Sequence, residues 1–148
     1  MRRKLLPPLA VWVTLAISAV SLGIAVPAFA KKANPRASAA PNSNLTNGQE
    51  VTVSGTGYVP NSEVFVVECN KGIKAKGAGA AFCDTSHIVA VMVTSGGAVP
   101  PTSFKVRTGT IGNKTCGTSK KDSQCYIGVG DAKGDSNDSA LAKIKFVP

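Results

Sequence analysis

Four cysteines, at 69, 83, 116 and 125, are the residues in this chain whose type and spacing most clearly suit a chemical role. They include no C-x-x-C pair, and His87 is the only histidine, so a zinc site lacks its ligands and no metal is expected. As a general base His87 has no G-x-S-x-G elbow, no second histidine and no clustered carboxylates to work with. It reads as a surface histidine, and the chain as a non-enzyme. Asp131, Asp135, Asp138 and Asn137 match no established calcium loop and read as turn chemistry. What remains for the cysteines is disulfide formation. Three pairings are possible. The sequential one, Cys69–Cys83 with Cys116–Cys125, is favoured because each bridge closes a short loop between strand-like runs. Loops of that size contribute roughly 3 kcal/mol each.

Disulfides require an oxidising compartment, and the start of the chain supplies the route to one. Met1-Arg-Arg-Lys4 is basic, residues 5–26 are apolar, and Ala28-Phe29-Ala30 is an A-x-A cleavage box, the three parts of a secretory signal peptide. The apolar stretch is long enough for an uncleaved anchor, but the cleavage box and the Pro7-Pro8 pair favour removal. The expected organisation is a signal peptide over 1–30, a flexible leader over 31–37 and one domain over 38–148. The mature protein would then be secreted, free or held at the cell wall, and no longer tied to the membrane. Taking 1–30 from the 148 residues leaves 118, enough for one core. Arg2, Arg3 and Lys4 leave with the signal, so 14 Lys/Arg stand against 8 Asp/Glu, a net +6. The lysines are scattered through the chain, as on a solvated surface, and form no nucleic-acid patch.

The elements that must position the cysteines are strands. Glu63-Val-Phe-Val-Val-Glu-Cys69 and Cys83-Asp-Thr-Ser-His-Ile-Val-Ala-Val-Met-Val93 are β-branched and bounded by Gly, Pro, Asn and Ser. Alternation sends Val64 and Val66 one way and Phe65, Val67 and Cys69 the other; Val89, Val91 and Val93 oppose Ile88, Ala90 and Met92. Half-buried antiparallel strands show one wet, polar face. These two runs are apolar on both faces, and the second needs cover. Further strands are read at 49–54 (Val51 and Val53 inward), at 98–102 as a proline-bearing edge, and at 104–108. Others fall at 126–130 and 140–147, the last with Ala142, Ile144 and Phe146 inward. Residues 71–81 form a Lys/Gly/Ala loop, and 109–115 a short connection. With no helical periodicity and about seven short strands, the chain reads as an all-β, antiparallel sandwich.

Asn44-Leu-Thr-Asn-Gly-Gln-Glu-Val-Thr-Val-Ser-Gly-Thr-Gly57, the strand into Cys69, Cys83-Asp84, Thr115-Cys116, Cys125-Tyr-Ile-Gly-Val-Gly-Asp131 and Ala140-Leu-Ala-Lys-Ile-Lys-Phe146 together resemble the neocarzinostatin family of secreted chromoproteins. The resemblance implies a seven-stranded immunoglobulin-like sandwich with bridges 69–83 and 116–125. It also implies a cleft that carries a non-covalently bound enediyne-type chromophore. The implied lining is Phe65, Val67, the 69–83 disulfide, Ile88, Ala90, Met92, Tyr126, Gly128 and Gly130, with no other cofactor. In such a protein the antimicrobial, DNA-damaging activity belongs to the cargo. The partners would be a small apolar or aromatic ligand and, through the released cargo alone, DNA; the protein itself would be a monomer. Departures from the family pattern are visible too. Asn70-Lys71 replaces an aromatic after the first cleft cysteine, the 107–115 stretch is short and has no aromatic, and Val67 stands where a small residue is usual. Losing two ring-stacking groups forgoes a few kcal/mol, on the order of 10²-fold in affinity. The alternative is an extracellular immunoglobulin-like interaction module without small-molecule cargo.

Overall fold

Short, β-branched, alternating segments separated by Gly, Asn and Pro turns can bury their apolar sides only by packing one sheet on another. The computed structural model describes residues 34–70, 80–131 and 138–148, and shows that arrangement. The signal peptide, residues 31–33 of the leader, residues 71–79 of the Lys/Gly/Ala loop, and Asp135 and Asn137 lie outside the described residues. In chain order the strands are β1 (Arg36–Ala40), β2 (Glu50–Thr56), β3 (Glu63–Cys69), β4 (Cys83–Met92), β5 (Ala98–Lys105), β6 (Gly109–Ile111), β7 (Lys114–Cys116), β8 (Gln124–Gly130) and β9 (Ala140–Lys145). Single 3₁₀ turns occupy Ala80–Phe82 and Lys120–Asp122.

One sheet has the order β1-β2-β5 and the other β4-β3-β8-β9, with β6 and β7 as a separate two-stranded ribbon. The strand pairings are antiparallel. Seven strands therefore make the immunoglobulin-like sandwich expected from the sequence, and the ribbon is additional. Between the sheets lie Val51 and Val53 of β2, Val64 and Val66 of β3, Phe104, Val106, Ile127 and Val129 of β8, and Ala142, Ile144 and Phe146. The parity read from alternation holds for Val51, Val53, Val64, Val66, Ala142, Ile144 and Phe146. Both expected disulfides are formed, 69–83 and 116–125.

Three details differ from the sequence reading. First, β1 begins at Arg36, inside the 31–37 leader and two residues before Ser38. Arg-Ala-Ser-Ala-Ala has little β propensity of its own, and the strand exists through its ladder to β2, from Arg36↔Thr56 to Ala40↔Thr52. Second, 98–102 and 104–108 are not two strands; Ala98–Lys105 is one strand along the edge of the smaller sheet. Third, the 109–115 connection is the β6–β7 hairpin, turned by Gly112 and Asn113. Gly112 has φ 57°, the left-handed value that the first central position of a two-residue hairpin demands.

Candidate functional site: the outer face of the four-stranded sheet

Because Val64 and Val66 of β3 are committed to the core, Phe65, Val67 and Cys69 must stand on the opposite side, and the neighbouring strands follow suit. The register aligns them in rows. Phe65 lies between Ala90 of β4 and Gly130 of β8; Val67 lies between Ile88 and Gly128; Cys69 lies between Cys83 and Tyr126. Strand β9 extends two rows, placing Leu141 beside Gly128 and Lys143 beside Tyr126. Met92, opposite Glu63, closes the far corner. The structure thus brings all the sequence-predicted positions onto one surface. Ile88 is 44% exposed and Met92 59%, while Phe65, Val67 and Tyr126 are half-buried.

The surface has a hard end and a soft end. At the hard end the Cys69–Cys83 bridge is buried under Val67, Phe82, Tyr126 and Leu141. The Tyr126 hydroxyl accepts a hydrogen bond from Nε2 of Gln124 at 2.6 Å, which fixes the ring beside Lys143. At the soft end Ala90, Ile88 and Met92 stand in solvent along the sheet edge.

The two glycines of β8 play different parts. A Cβ at Gly128 would meet only ordinary contacts, 3.4 Å from Sγ of Cys69, 3.5 Å from Val67 and 3.7 Å from Leu141. Gly128 itself is buried, so the space of its missing side chain is closed over by those three residues. At Gly130 a Cβ would come within 2.7 Å of Cβ of Ser139. There the close approach is made by the protein's own chain, so Gly130 is a packing glycine rather than open floor.

The ribbon borders the hard end through Asn70, one of the positions where an aromatic was missing. Asn70 is fully buried. Its Nδ2 donates to the Ile111 carbonyl at 2.7 Å and to Oδ1 of Asn113 at 3.1 Å, and its N–H donates to the Phe82 carbonyl at 2.8 Å. The Asn113 N–H donates to the Ala81 carbonyl at 2.9 Å. This side chain therefore clamps the ribbon to the segment that carries the cleft disulfide, and offers no ring to a ligand.

Beneath the same sheet lies a polar cluster that the sequence reading did not single out. Glu68 follows Val64 and Val66 on the inward side of β3 and is 1% exposed. Burial pushes its carboxyl up to about 8; the Arg107 backbone N–H, which donates to Oε2 at 2.8 Å, pulls it partly back. At neutral pH the acid is protonated. Its Oε1 is 3.5 Å from Sγ of Cys116, and since a disulfide sulfur has no proton, the carboxyl O–H is the donor. Around it, Arg107 Nη1 lies 3.7 Å from Oδ2 of Asp84 and Nη2 lies 3.3 Å from Nδ1 of His87. The Ser86 hydroxyl, which donates to Asp84, is the main reason that carboxyl sits below its ordinary value. His87 is not on the surface as expected. It is half-buried with its ring 5.1 Å from that of Phe104, and Nε2 is enclosed without a hydrogen-bond partner among the described residues. The alternation that sends Val89 and Val91 inward does the same to His87.

A separate hollow of about 210 Å³ opens between β1 and β2, lined by Arg36, Ala37, Ser38, Ser54, Gly55 and Thr56. Its serines, threonine and arginine suit water better than an apolar ligand.

No curated protein sequence matches the chain significantly. The fold is similar to that of macromomycin, with a TM-score of 0.58 at 26% identity over 77% of this chain and all of that one. It is also similar to the solution conformation of apokedarcidin, with a TM-score of 0.44 at 26% identity over 76% of this chain and 98% of that one. The family model named for neocarzinostatin matches residues 37–146, nearly the whole described sandwich, and the chain belongs to the neocarzinostatin family.

Proposed function

We propose that this protein is an exported apoprotein that binds and carries a small apolar or aromatic chromophore of the enediyne type on the outer face of the four-stranded sheet. Family membership supports a chromophore-carrying role in general. The observation that carries the reading for this chain is the outward stance of Phe65, Val67, Ile88, Met92 and Tyr126 in adjoining rows. Each large apolar side chain withdrawn from water is worth roughly 1.5–3 kcal/mol. These side chains are already partly buried, so a ligand covering four of them would recover part of that from each, a few kcal/mol in all. The disulfide with Tyr126 forms a rigid rim. Any antimicrobial or DNA-damaging effect would reside in the cargo, the protein meeting DNA only through what it releases. With Asn70 turned to structural use and no aromatic in the ribbon, the ligand rests on Phe65, Tyr126 and aliphatic side chains.

The test is to isolate the protein from its native culture. A non-covalent mass adduct in native mass spectrometry, with absorption above the protein band, supports the carrier. Colourless, adduct-free protein that partitions with cell wall refutes it in favour of the interaction module.

A further inference from the structure

The two sheets of the sandwich expose four edge strands: β1 and β5 on one, β4 and β9 on the other. An edge strand offers unpaired N–H and C=O groups to any passing strand, and proteins guard such edges with Lys, Pro or bulges. Three of the four are guarded that way. β1 carries Arg36, β5 carries Pro100, Pro101 and Lys105, and β9 carries Lys143 and Lys145. β4, the longest strand, has no Lys, Arg or Pro in Cys83–Met92. Its first half is guarded by an irregularity, since Cys69 pairs with Cys83 while Val67 pairs with Ile88. From Ile88 to Met92 it runs regular and, among the described residues, open.

The direction of its backbone groups follows from the ladder. The Val93 N–H donates to the Ser62 carbonyl on the β3 side at 2.8 Å. With Val64↔Val91 and Val66↔Val89 in register, the odd residues 89, 91 and 93 bond to β3. The N–H and C=O groups of Ile88, Ala90 and Met92 therefore point away from the sheet. The side chains of these same residues are the exposed apolar ones on the outer face.

We propose that the open half of β4 pairs antiparallel with β4 of a second copy of this chain, about a twofold axis at Ala90. Residue i then faces residue 180 − i of the partner subunit: Ala90 meets its own counterpart, and Ile88 meets the partner's Met92. Each of these pairs exchanges both of its N–H···O bonds. The smallest side chain falls on the axis, beside its own counterpart. Ile88 and Met92, the two most exposed large apolar side chains of the sheet face, cover one another across the junction. No like charges meet, because Asp84 and His87 fall opposite 96 and 93 of the partner. Self-pairing of β9 would instead bring Lys143 and Lys145 together, which is destabilising. The twofold axis is perpendicular to the sheet, so both outer faces end on the same side of one eight-stranded sheet. Such a dimer departs from the monomer expected from the sequence and does not depend on whether the face holds a chromophore.

Sedimentation velocity on the ligand-free mature protein at about 100 μM, where a small interface still associates, tests it. The expected result is a dimer in the wild type. Ala90→Lys and Ala90→Glu should each be monomeric, with association weakened about tenfold or more, and an equimolar mixture of the two should regain the dimer through a Lys–Glu pair on the axis. Hydrogen exchange on the wild type gives a readout free of mutation: the Ile88, Ala90 and Met92 amides should slow together as concentration rises. A wild-type monomer, a dimer that survives Ala90→Lys, or a mixture that fails to reassociate overturns the proposal. So does exchange at these three amides that ignores concentration.

Discussion

Replacing Glu68 by glutamine isolates the electrostatics of the core. In the unfolded chain a glutamate titrates near 4.5, whereas in the fold burial raises Glu68 to about 8. Between those values the folded protein holds a proton that the unfolded chain has released. Stability therefore falls as pH rises through the interval, by about 1.4 kcal/mol per unit, or on the order of 4–5 kcal/mol in all. The sign is the reverse of a salt-bridged carboxylate. The contribution is complete below pH 4.5, is lost progressively up to about 8, and changes no further above. Against the 5–15 kcal/mol of a typical domain this is a large share. Glutamine keeps an oxygen for the Arg107 N–H and has no proton to lose. Urea unfolding followed by circular dichroism, with both disulfides intact, should be run on the two proteins from pH 4 to 9. Their difference cancels the surface carboxylates common to both. Near pH 4 the two stabilities should be similar; by pH 9 Glu68→Gln should be the more stable by several kcal/mol. A difference that stays flat across the range would mean that Glu68 is ionised in the folded protein at neutral pH, and would sink the account of the cluster.

Three other substitutions probe the site and its supports. Met92→Lys changes a side chain that is 59% exposed on the outer face, so it should leave the melting temperature within a few degrees while lowering uptake of the natural chromophore at least tenfold, measured by fluorescence titration. Gly112→Ala forces a side chain into a left-handed residue, costing roughly 1–2 kcal/mol, and places its Cβ 2.5–2.7 Å from backbone atoms of residues 81–83; the urea midpoint should drop accordingly or further. Asn70→Ala removes two side-chain hydrogen bonds, to the Ile111 carbonyl and to Oδ1 of Asn113, at about 0.5–1.5 kcal/mol each, and amide exchange in the ribbon should quicken more than exchange in β8.

How much of this was legible in the sequence depended on how local the signal was. β3 announces itself: valines at 64 and 66 leave Phe65 and Val67 only the other face, and period two admits no third arrangement. The β6–β7 hairpin has three residues a side, and its one local mark, Gly112-Asn113, is a two-residue hairpin pair too short-flanked to stand out from a connection. β1 carries no mark at all, since Ala and Ser pair there because β2 is beside them. Glu68 was visible as the third inward position of β3, but a reading that counts apolar residues passes over a charged one. The contrast between Gly128 and Gly130 depends on Ser139, which comes from a different strand connection and could not be seen from the glycines themselves.

The least local feature is also the one on which the site depends. Cys83 and Ile88 are five residues apart, an odd interval, so a regular strand would place them on opposite faces. Their partners Cys69 and Val67 are two apart and share a face. The three extra residues on β4 turn the strand over between the bridge and the apolar run. Without that irregularity the disulfide would sit on the outer face while Ile88, Ala90 and Met92 turned into the core, or the reverse. Asp84, braced by the Ser86 hydroxyl and N–H and by Arg107, lies inside the extra segment. The polar cluster under the sheet and the apolar surface above it are thus two consequences of one bulge. Its Asp, Ser and His side chains hold the turn from which the strand emerges with its oily side outward.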